Sequence, residues 1–544
     1  MHPHARELAQ LFEFGQPEIA LVVCACVLFV GGLFRADRRL WGGVALAGLG
    51  VAFLVHLMIV LGPMASALPA NASAAFSVPL LFDPLAHLTR VLALATGAMF
   101  ILLSWHEPPE RNVADHHACV MIIIAGVSLV GAANDLVALF LALEMVSIPT
   151  YVLQYLPRHD DASQEASIKY FLLSVFSSAF LLFGFSYLFG LTGTTNIAAS
   201  LHVLYGAPGE DTKAIAGLAQ IALLMIAAGL GFRITAVPFH FYAPDVFQGI
   251  STSGAAFLSY IPKIAGFVAL LRVFGFVVPD AVTMQSYQGS GLALSDQVPT
   301  LFWFLAALTM SIGNLLALLQ DNLKRLLAYS SIAHAGYMLV ALASAPYLSG
   351  PDSASNGVAA LLFYLVAYGA MTFGLFGVIG MLHRPERPVE SVDDLAGLAK
   401  SHPFLALLTT ILMFSFIGMP LTAGFTGKFF IFFGALSTEA LPPPVGGAVR
   451  ELPGWLYPTL AVIGMLNAAI GGWYYLRVIT VMYLRGAVKP IETWGTAPGF
   501  TTLAICVLLT LGLSVPPGVT WFLGAVRATT ARSAPAVPAP REAE

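Results

Sequence analysis

Six ionisable side chains lie inside long apolar runs of this 544-residue sequence. Glu144 is central in "NDLVALFLALEMVSIPTYVL", and Lys169 comes early in "EASIKYFLLSVFSSA". Arg233 precedes a Pro-Phe-His in "GLGFRITAVPFHFYAPDVFQG". Lys263 is in "SYIPKIAGFVALLRVF", His334 in "LLAYSSIAHAGYMLV" and Lys428 in "MPLTAGFTGKFFIFFG". Each charge at mid-bilayer costs about 2.5–3.5 kcal/mol on insertion scales, so the set needs a reason. Lysine and histidine supply one, because burial moves a lysine toward neutrality and histidine titrates there already; both can take up and release a proton. Ser330, Ser331, His334 and Tyr337 recur at helical spacing and extend that chemistry along one helix face. Arginine stays protonated and can act only as a fixed charge. Glu144 alone cannot neutralise Arg233, Lys263 and Lys428 together, which argues against a purely structural set of ion pairs.

The competing reading treats each residue as a helix–helix hydrogen bond or a snorkelling side chain. It is favoured for Arg90 and Arg272, which lie near span ends or one turn from polar positions. For Lys169, three residues into its run, both readings stand. A histidine satisfied by neighbouring serine hydroxyls is the corresponding alternative for His334.

The elements that would position these groups are membrane helices. Hydrophobic residues make up 58% of the chain and charged residues 10%, with a mean hydropathy of +0.82. A soluble chain carries roughly 25% charged residues. Runs of about 20 apolar residues match the hydrocarbon thickness of a bilayer. The sequence therefore predicts an all-α polytopic membrane protein surrounded by lipid. Fourteen spans are expected, starting near Glu18, Leu40, Leu80, His116, Asn134, Ala166, Ala214, Gly254, Thr300, Leu326, Asn356, Pro403, Tyr457 and Phe500. Loop Lys and Arg concentrate after odd-numbered spans (Arg38, Arg39, Arg158, Lys324, Arg325, Arg384, Arg387 and Arg485 among them), which places both termini outside. The net charge of −4 and the lack of a basic cluster give no sign of a nucleic-acid partner. Cys24, Cys26, Cys119 and Cys506 all fall in apolar runs and read as small buried hydrophobes. The first residues lack a basic start and a small-residue cleavage site, so no cleaved leader is expected.

Prolines punctuate two of the cation-bearing spans. Pro238 follows Arg233, and Pro420 precedes Lys428. A broken helix survives in a bilayer only where protein or water takes up its loose polar groups. Breaks in spans seven and twelve, five spans apart, suggest two internal repeats of opposite topology. The expected organisation is an N-terminal three-helix region (1–115), a first repeat of helices 4–8 (116–280), and a second, inverted repeat of helices 9–13 (281–490). A C-terminal helix (491–525) and a Pro/Ala-rich disordered tail (526–544) complete the chain.

The segments "EASIKYFLLSVFSSA", "VPFHFYAPDVFQG", "NLKRLLAYSSIAHAGY" and "GMPLTAGFTGKF" give the chain a family likeness from end to end. It resembles the antiporter-like membrane subunits of respiratory complex I. "PDVFQG" and "EASIKYF" draw it toward the subunit N family of bacterial NADH–quinone oxidoreductase. The resemblance implies two inverted five-helix repeats with helices 7 and 12 broken, and a hydrated line of charges along the membrane midplane. By motif, Glu144 matches the family's fifth-helix glutamate, Lys263 its eighth-helix lysine and Lys428 its twelfth-helix lysine. Arg233 stands where the family has lysine.

The implied function is proton translocation across the bacterial inner membrane, driven by electron transfer from NADH to quinone in the rest of the complex. Other membrane subunits, especially neighbouring antiporter-like ones, are the implied partners. No flavin, iron–sulfur or nucleotide pattern appears in the sequence, so cofactors are expected in partner subunits, with quinone as a substrate of the whole complex. The alternatives are a subunit of a multisubunit cation/proton antiporter or membrane-bound hydrogenase, and a passive membrane spacer.

Overall fold

The computed structural model describes residues 12–62, 78–158, 160–205, 212–276, 294–345, 356–384, 387–438, 454–486, 491–493 and 495–531. Within them the chain is a bundle of apolar helices. In order, these are α1 Gln16–Gly32, α2 Arg38–Leu61, α3 Pro84–Leu103, α4 Val113–Ala132, α5 Leu136–Tyr155, α6 Asp161–Thr192 and α7 Thr212–Arg233. They continue as α8 Thr252–Val273, α9 Leu294–Leu318, α10 Leu323–Ser344 and α11 Gly357–Met381. The broken α12 has halves Pro403–Ile417 and Ala423–Ser437; α13 is Leu456–Leu484, and α14 has halves Ala497–Gly512 and Pro516–Ala531.

Each expected span start falls in or beside one of these helices, but not all are full spans. Among the described residues, ten helices are long and apolar enough to cross a membrane, or eleven if the two halves of α14, bent by 91°, count as one. The remaining expected spans correspond to shorter apolar helices: α1, α7 and the two halves of α12. At 1.5 Å per residue, the 17 residues of α1 reach about 25 Å, short of a hydrocarbon core of about 30 Å. The second half of α14 continues as helix through Ala531, past the expected end of the span at 525. The N-terminal residues 1–11 and the tail from 532 onward lie outside the described residues.

Burial sorts the helices into a centre and a rim. The apolar stretch of α8 is wholly buried within the protein and those of α10 and α11 are 94% buried, against 28% for α2 and 39% for α6. Large apolar side chains such as Phe176, Phe183, Leu308 and Leu466 cover the rim, where lipid takes the place of a partner helix. Cys119 and Cys506 are buried as expected; Cys26 is instead exposed on the rim, because α1 turns that face outward.

Besides the bend in α14, two breaks interrupt the bundle. α7 ends at Arg233; Thr235 then adopts φ +60°, and the chain re-enters a short helix at Ala243–Gly249. α12 stops at Ile417, with Gly418 at φ +91° and Leu421 at φ +67°, and resumes at Ala423. A four-residue pattern at the helix starts also occurs twice. Leu136 N donates to Thr195 O at 2.8 Å and Ile197 N to Asn134 O at 2.8 Å. Leu323 N donates to Glu390 O at 2.7 Å and Val392 N to Asp321 O at 2.9 Å. The starts of α5 and α10 are thus each clasped by the segment that follows the next helix. Asp135 and Asn322, the residues between the clasped strands, cap those helices with their side chains. A small antiparallel sheet of Leu382–Arg384, Arg387–Pro388 and Glu492–Thr493 joins the loop after α11 to the segment before α14.

Candidate functional site

The site is built from residues on the central helices. Glu144, midway along α5, accepts from Ser178 Oγ of α6 at 2.6 Å and from Arg233 Nη2 at 3.2 Å. Arg233 Nη1 donates to Ser147 Oγ at 2.5 Å and to Leu143 O at 3.3 Å, so the guanidinium lies along α5 for one turn. The guanidinium is 6% exposed and the carboxylate 22%; Leu141 and Ile148, on either side of Glu144 along α5, face the rim. Glu144 and Arg233 thus form an ion pair, and it stands at the lateral edge of the bundle.

Lys263 is buried in α8 directly after Pro262, whose missing amide removes one bond from the helix ladder. Its ammonium donates to Ser259 O at 3.2 Å and to Ser331 Oγ of α10, and lies 5.6 Å from the centre of the Tyr368 ring. Ser259 Oγ in turn bonds Tyr368 Oη at 2.6 Å and Ser331 Oγ at 3.0 Å. No described carboxylate is bonded to Lys263. Three hydroxyls, a carbonyl and a ring face are its surroundings.

His334 lies one turn beyond Ser331 on α10. Its Nδ1 bonds Tyr364 Oη of α11 at 2.5 Å, its Nε2 bonds Tyr475 Oη of α13 at 3.2 Å, and Tyr475 Oη bonds Ser330 Oγ. Tyr337, one turn further, places its ring 4.9 Å below the Lys428 ammonium. Lys428 donates to Phe416 O at 2.8 Å and Ile417 O at 3.0 Å. Those are the last carbonyls of the first half of α12, freed by the break. A cation at this negative end of a half-helix is the arrangement expected of discontinuous membrane helices.

The stripe on α10 thus touches both lysines: Ser331 bonds Lys263, Tyr337 underlies Lys428, and His334 stands between them. Lys169 does not join this line. It is 42% exposed, pairs with Glu165 at 2.5 Å and lies 3.7 Å from Asp245, because its position near the start of α6 turns it to the surface. Asp245 also pairs with Arg325 at 2.5 Å, so three of the quoted motifs meet in one surface ion network.

Sequence reasoning missed the neutral members: Ser147, Ser178, Ser259, Tyr364, Tyr368 and Tyr475. Their hydroxyls in otherwise apolar spans were the available signal. Nor did it foresee the partners of Arg90, which is paired with Glu18 at 2.8 Å and bonded to Phe14 O at 2.9 Å and to His56. Arg90 is 2% exposed, so the structural role expected of it holds but the snorkelling does not. Arg272 forms a two-pronged pair with Asp83, both contacts at 2.6 Å. Among the described residues no three His, Cys, Asp or Glu side chains converge as a metal site.

Together the fold and the site define a polytopic helical membrane protein with a buried line of ionisable groups that passes two broken helices. The family model described as NADH:quinone oxidoreductase/Mrp antiporter, TM, matches residues 133–442, and the chain belongs to that family. It is 35% identical over 518 residues to NADH-quinone oxidoreductase subunit N 1 of Solibacter usitatus, covering 93% of this chain and 94% of the relative. It is 36% identical to NADH-quinone oxidoreductase subunit N of Trichlorobacter lovleyi, covering 82% of each. In three dimensions it is similar to a chain of respiratory complex I from Thermus thermophilus with bound aureothin, with a TM-score of 0.71 and 28% identity over 94% of this chain and 99% of that one.

Proposed function

We propose that this chain is the membrane subunit N of a bacterial NADH–quinone oxidoreductase, and that it carries protons across the inner membrane while partner subunits pass electrons from NADH to quinone. The carrying observation is the buried line itself: the Glu144–Arg233 pair, then Lys263, His334 and Lys428 in and around the most deeply buried helices. Arg233 holds a fixed charge beside Glu144. Lys263, His334 and Lys428 are the groups able to take and lose a proton, and α10 supplies the hydroxyls between them. Flavin and iron–sulfur clusters belong to partner subunits in this reading, other antiporter-like subunits flank the chain, and both termini face the periplasm. The doubled clasp at α5 and α10, and the doubled break after α7 and within α12, support dividing residues 116–490 into two inverted repeats joined near 280.

The family description also covers Mrp antiporters. The subunit N relatives, covered over most of their length, favour the oxidoreductase reading, and flavin- and cluster-binding subunits encoded beside this chain would separate the two. The direct test is Lys263→Met in the assembled complex. Proton pumping should fall by about a hundredfold or more, the scale of losing one proton-transfer group, while NADH oxidation by an artificial acceptor is retained. Normal pumping in that variant would leave the passive spacer as the better account.

A further inference from the structure

His334 is held at both ring nitrogens by phenols from different helices, Tyr364 on α11 at 2.5 Å and Tyr475 on α13 at 3.2 Å. All three side chains are essentially inaccessible to solvent. A neutral imidazole carries one N–H and one bare nitrogen. One phenol must therefore donate to the ring while the other accepts from it. Tyr475 continues the line to Ser330 Oγ. On the other side the Tyr364 ring lies against Gly427, the residue before Lys428, where a Cβ would come within 2.4 Å of its Cδ2. Tyr364 is thus wedged between the imidazole and the half-helix that carries Lys428.

We infer that Tyr364 and Tyr475 are relay groups of the proton path, and that with His334 they form a wire with two opposite polarities. In one state Tyr364 Oη–H points at Nδ1 and Nε2–H points at Tyr475 Oη. Tyr364 passes its hydroxyl proton to Nδ1 as it takes up another, which makes an imidazolium; the Nε2 proton then passes to Tyr475 as Tyr475 gives its own hydroxyl proton to Ser330, and the ring is left neutral in its other tautomer. One proton enters and one leaves; a flip of the imidazole ring together with rotation of the hydroxyls resets the wire. The cations that face this wire are Lys263, through Ser331, and Lys428, above Tyr337, and the neighbouring phenols are Tyr337 and Tyr368. Any buried neutral histidine calls for a partner at each nitrogen; what the phenols add is that each can either donate or accept, which allows the polarity to invert.

The inference rests on the proton-translocating reading, and its test separates the two. Tyr364→Phe and Tyr475→Phe remove one hydroxyl each and leave the rings in place. Tyr242→Phe is the control, because Tyr242 is also buried but donates to Phe232 O at 3.1 Å and not to the imidazole. In assembled complex, counted by NADH oxidation with an artificial acceptor, Tyr364→Phe and Tyr475→Phe should slow proton pumping about a hundredfold and raise its solvent deuterium isotope effect. Tyr242→Phe should change neither. If Tyr364→Phe and Tyr475→Phe pump like Tyr242→Phe while Lys263→Met does not pump, the relay role of the phenols is wrong and the function stands. If Lys263→Met also pumps normally, the function reading fails and takes this inference with it.

Discussion

Arg233 and Lys428 show how residue type decides what a buried cation can do. Arg233 spreads its charge over Glu144, Ser147 and a carbonyl of α5, while its Nε is buried with no partner among the described residues. Glu144→Gln removes the one described carboxylate it touches, and breaking one partner of a buried pair costs about 3–5 kcal/mol, so both assembly and coupling should drop. Arg233→Lys is the sharper change. It keeps the charge and should leave turnover near the parent's around neutral pH. Lysine can lose its proton where arginine cannot, so coupled activity should decline at a lower alkaline pH than in the parent; a pH–activity profile checks this. Lys428→Arg asks the converse question. Arginine can still cap the carbonyls of Phe416 and Ile417 but cannot release a proton, so the ratio of protons moved to NADH oxidised should fall in a stably assembled complex. An unchanged ratio would show Lys428 to be a structural cap of its half-helix.

The elements that matter most at this scale are the interrupted ones. Within α12, Gly418 has φ +91°, and a Cβ there would sit 3.1 Å from Lys428 Cδ. Gly418→Ala therefore combines about 1–2 kcal/mol of left-handed backbone strain with pressure on the lysine stem. Its expected outcome is a lower thermal midpoint for the complex together with slower pumping. A midpoint change with pumping intact would show that the lysine tolerates being displaced. The tyrosines of α11 belong here too: Tyr364 and Tyr368 sit one turn apart on one face, so a single helix addresses both His334 and the hydroxyl cluster around Lys263.

Across the whole molecule, a long-range ion pair fastens the N-terminal helices to α8. Arg272, at the end of α8, reaches Asp83 at the start of α3 and also the Gly131 carbonyl at the end of α4. Arg272→Met leaves Asp83 without its cation at a junction of three helices. A stability loss of about 3–5 kcal/mol should lower the yield of assembled complex, while the protons moved per NADH in the assembled fraction stay at the parent value. Quantifying both in the same membranes distinguishes a scaffold pair from a member of the relay.

The sequence determined the apolar segments, the identity of the buried charges and the two breaks, because each is a local property. Span length follows from bilayer thickness, the penalty on a buried charge from its own side chain, and a helix break from proline and glycine within a few residues. Only the tertiary structure decided which face of each helix turns inward. That rotation sent Lys169 to the surface and Lys263 to the centre, although both lie in spans of similar hydropathy. It brought Tyr475 to His334 across 141 residues of sequence and Arg90 to Glu18 across 72. Tyrosine and serine in an apolar run carry no charge penalty, so a hydroxyl by itself does not mark a member of a proton path. Their role arises from hydrogen bonds between helices, and those depend on how the whole bundle packs.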